Sequence, residues 1–329
     1  MIALSIVVPI YNEEDLLPLI VERFLQLRKR LCKTFNLDNN AIEILFVNDG
    51  STDGSFETLK TFCLKTESFT CLNLSRNHGH QLAITAGIEH SSGRAVVIID
   101  GDLQDPPEFI VNLYQKHLSG YDVVYAVRTV RNGEGVFKRL SAALFYRLIN
   151  SLSRVSLPLN TGDFRIMSRR VVDQLILMRE QHRYIRGMVS WIGFKQTGLF
   201  YDRDPRQEGE SKFPLLKMLS FAMDAITSFS KFPLQLIASM GFVVSIAGLI
   251  YGLFALYQKF IMHDVIPGWT SLVILILILG GAQLFSLGLI GEYIAKIYEQ
   301  SKNRPLFIVE GVYKANPSSR KELKSTSSS

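Results

Sequence analysis

Two carboxylates separated by one glycine, Asp100-Gly101-Asp102, follow directly on the apolar run Val96-Val97-Ile98-Ile99 and lead into Leu103-Gln104-Asp105-Pro106-Pro107. Hard oxygen donors at this spacing suit Mg2+ or Mn2+, which keep several waters and bind substrate phosphates. An ion held there would bridge a diphosphate and neutralise charge on a departing nucleotide. The competing reading is a solvated turn whose aspartates cap a helix beginning near Pro106. Two more polar clusters stand after apolar runs: Tyr11-Asn12-Glu13 after Leu4–Pro9, and Asn48-Asp49 after Ile42–Val47. The sequence contains neither GxGxxG nor GxxxxGK[ST], which argues against a dinucleotide-binding dehydrogenase and a P-loop.

A second constellation is basic. Arg128, Arg131, Lys138, Arg139 and Arg147 cluster with only Glu134 opposing them. Apolar residues at positions 140, 144, 145, 148, 149 and 152 give Lys138–Leu152 one helical face, which can lie in a membrane interface with its cations reaching phosphates. A solvated helix edge is the bland alternative. Over 329 residues the formal net charge is +6, with much of the excess between Arg128 and Arg206. No recognisable nucleic-acid module accompanies it, so an anionic membrane or a phosphorylated substrate is the better partner. The three cysteines, Cys32, Cys63 and Cys71, form no CxxC and read as reduced structural thiols.

The elements that must position these groups alternate. Leu4–Pro9, Ile42–Val47, Thr70–Leu74, Ala95–Ile99 and Val123–Val127 are buried-strand runs, with helical patterns over Glu13–Leu31 and from about Ser55. That order predicts an α/β fold with a mostly parallel sheet and helices on both faces. Ligands gather at the carboxyl ends of such strands, where all three polar clusters fall. The N-terminus turns acidic before a signal-type apolar core can form and reads as a first strand.

The motifs Pro9-Ile10-Tyr11-Asn12-Glu13-Glu14, Val47-Asn48-Asp49-Gly50-Ser51-Thr52-Asp53 and Asp100-Gly101-Asp102-Leu103-Gln104-Asp105 resemble family 2 glycosyltransferases of the GT-A fold. Within that family the chain is similar to the polyprenyl-phosphate branch, which holds dolichol-phosphate mannose synthase and bacterial undecaprenyl-phosphate glucosyltransferases. The resemblance implies that Pro9, Tyr11, Asn12 and Glu13 line a base and ribose pocket and that Asp49 hydrogen-bonds the nucleobase. Asp100 would sit by the ribose or metal, and Asp102 and Gln104 would ligate the metal. Arg76-Asn77-His78-Gly79-His80-Gln81 resembles a loop facing sugar or diphosphate, although two histidines at i and i+2 point apart and make poor metal ligands. Arginines after the fifth strand would hold the lipid phosphate: Arg128 matches best, then Arg139, with Lys138 able to serve the same position. Thr161-Gly162-Asp163-Phe164-Arg165 resembles the acceptor-side segment. Since a phosphate monoester has its second pKa at about 6, Asp163 would orient the acceptor or handle a proton rather than need to act as a base. Arg203, Arg206, Gly209, Glu210, Ser211 and Lys212 resemble a loop closing over the diphosphate. Asp102, Asp163, Arg128 and Arg139 make up the expected catalytic set.

Leu234–Tyr257 and Thr270–Gly291 carry no charged residue, and each exceeds the roughly 20 residues that span a bilayer core. They predict a hairpin over residues 233–292 following a catalytic domain over 1–211 and an interfacial amphipathic helix over 212–232. A polar tail follows over 293–329, with its end disordered from about Ala315. The short connection between the spans has one basic residue, Lys259, whereas Lys212, Lys217, Lys231, Lys296, Lys302 and Arg304 flank the outer ends. The positive-inside rule then puts the catalytic domain and both termini on the cytoplasmic side of an inner or plasma membrane. The expected reaction is inverting hexose transfer, glucose from UDP-glucose by resemblance, to undecaprenyl phosphate, with homo-oligomerisation left open. Two alternatives stand beside it. A processive polysaccharide synthase of the same family would show QxxRW, which is missing here, and a non-catalytic nucleotide-sugar sensor would not need Asp100, Asp102 and Gln104 intact.

Overall fold

The structure is a computed structural model and describes residues 1–129, 161–202, 232–260 and 268–315. The chain divides into two compact units, the first comprising residues 1–150, 155–212 and 305–329, the second 151–154 and 213–304.

The first unit is built on one eight-stranded sheet. In chain order its elements are β1 (Leu4–Ile10), α1 (Leu17–Phe35), β2 (Ile42–Asn48), α2 (Ser55–Lys65), β3 (Phe69–Leu74), α3 (His80–His90), β4 (Ala95–Ile98), α4 (Ile110–Leu118), β5 (Val123–Arg128), β6 (Thr161–Ser168), α5 (Arg169–Leu177), α6 (Ile185–Ile192) and β7 (Gln196–Tyr201). The last strand, β8 (Val309–Lys314), comes from beyond the second unit. The strand order is β7-β5-β6-β4-β1-β2-β3-β8. β1 pairs parallel with β2 and β4, β2 with β3, and β5 with β7, while β6 and β8 run antiparallel to their neighbours. Every residue of β1 is buried, as a strand covered on both faces requires.

The helices are divided between those two faces. Leu17, Ile20, Val21, Phe24, Leu27 and Leu31 recur at helical spacing, so α1 lays one stripe on the sheet. Phe24 meets Phe46 edge-to-face at 5.8 Å, and Phe46 meets Phe69 at 5.3 Å. Opposite, Ala83, Ile84, Val171, Leu175, Met188 and Val189 from α3, α5 and α6 cover Val7, Val47, Val96 and Ile98. α1 begins at Leu17 rather than at Glu13, where the periodicity starts. Residues 12–15 are instead tied to the loop after β2, through Asn12 and Glu13 N–H on the hydroxyls of Ser51 (3.1 Å) and Ser55 (2.9 Å). Pro18 then occupies the first turn, where its missing N–H costs nothing.

Three strands lay outside the sequence reading. β6 carries buried polar residues, Thr161, Asp163 and Arg165, which mask its strand character. β7 follows it at the sheet edge. β8 lies within the stretch expected as a polar tail, and pairs with β3 in the register Thr70↔Lys314, Cys71↔Tyr313, Leu72↔Val312. Its side chains extend the packing: Tyr313 stacks edge-on against Phe56 at 5.4 Å, with Lys60 Nζ over both rings.

The second unit contains two helices, α7 (Phe232–Phe260) and α8 (Trp269–Ser301), of 29 and 33 residues. At about 1.5 Å per residue both exceed the roughly 30 Å hydrocarbon core of a bilayer. Each is long and apolar enough to cross a membrane, and no residue of the apolar windows Ile237–Phe254 and Ile278–Ser301 is buried within the protein. Phe242, Leu249 and Phe254 on α7 and Leu275, Leu284 and Phe285 on α8 are exposed, a surface suited to lipid. The segments expected as the helix over 138–152, the closing loop around Arg206 and the amphipathic helix over 212–232 lie outside the described residues.

Candidate active site

A cleft of about 360 Å³ opens at the carboxyl ends of β1, β2 and β4, within the size range of small-molecule sites. Pro9, Tyr11, Glu13, Asp49, His80, Asp100 and Asp102 all line it, so three motifs distant in sequence meet in one place. Asn12 and Gln104 do not line it. Asn12 sits at φ +53 and uses its side-chain oxygen to accept the Thr52 N–H at 2.8 Å, which fixes the loop that presents Tyr11. Gln104 is buried, and its backbone N–H donates to Asp102 Oδ1 at 3.1 Å.

The carboxylate turn is tightly specified. A Cβ at Gly101 would come within 2.5 Å of Ile10 Cδ1 and 2.8 Å of the Pro9 carbonyl oxygen, so only glycine lets the turn pass beneath the end of β1. Leu103 follows in the left-handed region at φ +54, a costly conformation for a branched residue. Asp49, at the end of β2, accepts backbone N–H groups from His78 (2.8 Å) and Gly79 (3.0 Å), thereby clamping the loop that delivers His80. Burial raises the Asp49 pKa and these two amides only partly offset it.

His80 stands between two carboxylates. Its Nε2 lies 3.3 Å from Asp100 Oδ1 and 3.4 Å from Asp163 Oδ2. Burial alone would lower the imidazole pKa, but the two acids outweigh it and raise it to about 10, so the ring is a cation. Asp163, on β6, is nearly inaccessible and collects further donors: Gln81 Nε2 at 2.9 Å, and Arg186 through Nε at 2.9 Å and Nη2 at 3.4 Å. Burial pushes its pKa up, yet His80 and Arg186 hold it far below the usual carboxylate range. Gln81 also accepts the Ile185 N–H at 3.0 Å, tying the start of α6 to the same carboxylate. Beneath this group Arg165 is wholly buried and donates to the carbonyls of Gly162 (2.8 Å) and Asp163 (3.3 Å).

Arg128 ends β5 beside this network. Its Nη2 lies 3.5 Å from Asp105 Oδ2, and its Nε donates to the Tyr201 hydroxyl at 3.3 Å, which in turn donates to Asp105 Oδ1 at 2.5 Å. Burial works against the Arg128 charge, but the inaccessible Asp105 carboxylate more than restores it. Lys138, Arg139 and Arg206 lie outside the described residues. Sequence reasoning missed Arg186, left His80 undecided, and named Gln81 only within the loop Arg76–Gln81, not as a partner of Asp163. The one signal for Arg186 was the excess of basic residues between Arg128 and Arg206.

A divalent cation fits part of this cleft. Asp100 and Asp102 offer hard oxygens, and Asp100 Oδ1 is buried without an aligned hydrogen-bond donor. Among the described residues no group of three His, Cys, Asp or Glu side chains is placed to hold a metal ion by itself, so substrate phosphate and water would complete the shell of such an ion.

Comparison with known proteins bears on the same residues. The family model described as Glycosyl transferase family 2 matches residues 5–176, and that described as GtrB C-terminal hairpin matches residues 232–297. An uncharacterized glycosyltransferase of Bacillus subtilis, YkcC, is 47% identical over 94% of both chains. An uncharacterized glycosyltransferase of Synechocystis, sll0501, is 41% identical over 95% of this chain and 96% of its own. The SfII prophage-derived bactoprenol glucosyl transferase of Shigella flexneri is 37% identical over 95% of this chain and 99% of its own.

Proposed function

Because the chain belongs to glycosyltransferase family 2, we propose that it transfers glucose from UDP-glucose to undecaprenyl phosphate or a similar polyprenyl phosphate, with inversion at the anomeric carbon. What carries the acceptor is the hairpin match over residues 232–297, together with near full-length similarity to a bactoprenol glucosyl transferase. What supports the donor is the cleft where Tyr11, Glu13, Asp49, Asp100 and Asp102 meet.

In this reading Pro9, Tyr11, Glu13 and Asp49 hold the base and ribose, with Asn12 fixing the loop that presents Tyr11, and Asp100 and Asp102 face the diphosphate, with Gln104 holding Asp102 through its backbone N–H. Mg2+ or Mn2+ bound there supplies charge neutralisation for the leaving UDP. An oxygen of the lipid phosphate attacks the anomeric carbon on the face opposite the diphosphate. The carbon–oxygen bond to UDP breaks, its electron pair leaves with UDP, and an α-linked donor yields a β-linked lipid phosphate. No base is required, because the acceptor is largely ionised near neutral pH. Asp163 suits that chemistry as an orienting anion: its oxygens are held by Gln81, Arg186 and His80, and its low pKa makes it a poor proton acceptor. Arg128, Lys138 and Arg139 would receive the acceptor phosphate, and Arg206 would close over the donor.

Membrane association follows from the two apolar helices and the lipid acceptor. For topology, β7 precedes the hairpin and β8 follows it, both in one sheet, which supports placing the catalytic unit and both termini on one side, the cytoplasmic one.

The test uses membranes containing the full chain, added undecaprenyl phosphate and a panel of radiolabelled nucleotide-sugars. Label from UDP-glucose should pass into organic-extractable lipid, and NMR should show a β-anomer. Insoluble polymer, or no transfer from any donor, would overturn the reading.

A further inference from the structure

The cluster beside the cleft contains two guanidiniums that meet adjacent residues of β6. Arg128 and Arg186 come from β5 and α6, 58 positions apart in sequence, and flank the same backbone segment of β6. Arg186 Nη1 donates to the Thr161 carbonyl at 3.0 Å. Arg128 lies over the next residue, where a Cβ on Gly162 would fall 2.8 Å from its Nη2. The charge of Arg186 works against that of Arg128, so the two cations feel each other.

Like charges at this proximity need compensation, and each has its own. Asp105, fully buried, backs Arg128 at 3.5 Å, and Asp163, nearly so, backs Arg186 at 2.9 Å. Both carboxylates are inaccessible, while the guanidinium side chains remain 32% and 31% exposed. The cluster therefore turns its cationic side toward solvent and keeps its anionic side inside. Two planar forks held this way match the oxygens of a phosphate dianion.

We propose that Arg186 joins Arg128 as the second cation gripping the acceptor phosphate, and that Gly162 lacks a side chain so that Arg128 can lie across β6 and share the ligand. This rests on the acceptor being a phosphate monoester. The donor diphosphate offers the same chemistry, but the acceptor is the better match because the paired arginines stand on β5 and α6 and flank β6, whereas the donor cleft is lined from β1, β2, α3 and the carboxylate turn.

The experiment uses the full chain in detergent. Binding of a short-chain prenyl phosphate, the matching prenyl alcohol and UDP is measured for wild type, Arg186→Gln, Arg186→Lys and Gly162→Ala, alongside the KM for polyprenyl phosphate. Wild type should prefer the phosphate over the alcohol by about tenfold or more. Arg186→Gln should bind prenyl phosphate about tenfold more weakly and show a KM about tenfold higher, with UDP binding within about twofold, and Arg186→Lys should recover part of the loss. Gly162→Ala keeps both arginines and the Asp163 pair, so the same split there cannot come from a misfolded carboxylate. Loss of UDP affinity with unchanged prenyl-phosphate binding would assign the forks to the donor and overturn the proposal. So would equal binding of phosphate and alcohol by wild type, or an Arg186→Gln variant indistinguishable from it. A wild type that binds prenyl phosphate through Arg186 yet transfers no sugar would sink the proposed reaction and leave this site standing.

Discussion

Asp102 and Asp163 are both aspartates near the cleft, but their surroundings assign them different work. Asp102 lines the cleft and accepts the Gln104 N–H, whereas Asp163 is locked into a cationic group. Asp102→Asn should abolish transfer while leaving thermal unfolding within about 1 kcal/mol of wild type, since the half-buried side chain keeps its shape and an oxygen to accept the Gln104 N–H. A chelator should have the same effect on the wild type, and turnover in excess chelator would remove the metal from the reaction. Asp163→Asn should instead destabilise by about 3 kcal/mol, the low end for breaking a buried pair, because the partner Arg186 is 31% exposed. A depressed carboxylate stabilises the fold above its unfolded pKa of about 3.9 and loses that contribution as pH falls toward its folded value. The gap between wild type and Asp163→Asn in urea unfolding should thus stay constant from pH 7 to about 4.5 and narrow only below about 3.9. The carboxylate turn was legible in the sequence because its parts are adjacent. The Asp163 group was not, because Gln81 and Arg186 lie 82 and 23 residues away and pair only through the fold.

The strands in which apolar runs are continuous, β1 through β5, were legible to within a residue or two at each end, and of the helices between them α1 and α2 showed in the sequence pattern. β6 escaped because its polar residues are buried for the site rather than for the sheet, a local rule broken where chemistry sits. β8 escaped for a different reason. Val309-Glu310-Gly311-Val312-Tyr313-Lys314 alternates in burial, but a lone alternating hexamer in a polar stretch gives no hint of its partner. In the fold it docks on β3, and Glu310 Oε2 accepts from Asn73 Nδ2 at 2.7 Å, while Asn48 Nδ2 donates to Asn73 Oδ1 at 2.6 Å. β8 therefore reaches Asn48, the residue before Asp49, through Asn73. Tyr313→Ala removes the Phe56 stack and the Lys60 contact and should cost about 2 kcal/mol in urea unfolding, less than a fully buried aromatic would. The three thiols give a second measure of packing. Burial raises Cys63 and lifts Cys71 to about 12, so iodoacetamide at pH 8 should label only Cys32 in the native protein and all three after denaturation.

Across the whole molecule, the division into a mixed polar unit and an apolar hairpin was the most legible feature of all, because uncharged runs of this length have few other uses. The expected topology makes a simple demand. Reporters fused before Met1 and after Ser329 should report the same compartment, and one inserted between residues 261 and 267 the opposite one. Opposite signals from the two ends would break the hairpin reading. The return of the chain to β3 also sets an order of events during synthesis. About 240 residues separate the end of β3 from the end of β8, and both apolar helices are made in between. At 5–20 residues per second, the outer edge of the sheet waits roughly 10–50 s for its last strand, with its N–H and C=O groups open to other chains. The nascent enzyme can finish its sheet only after the hairpin has left the ribosome, so a chain that stalls before that point carries an unfinished, adhesive edge.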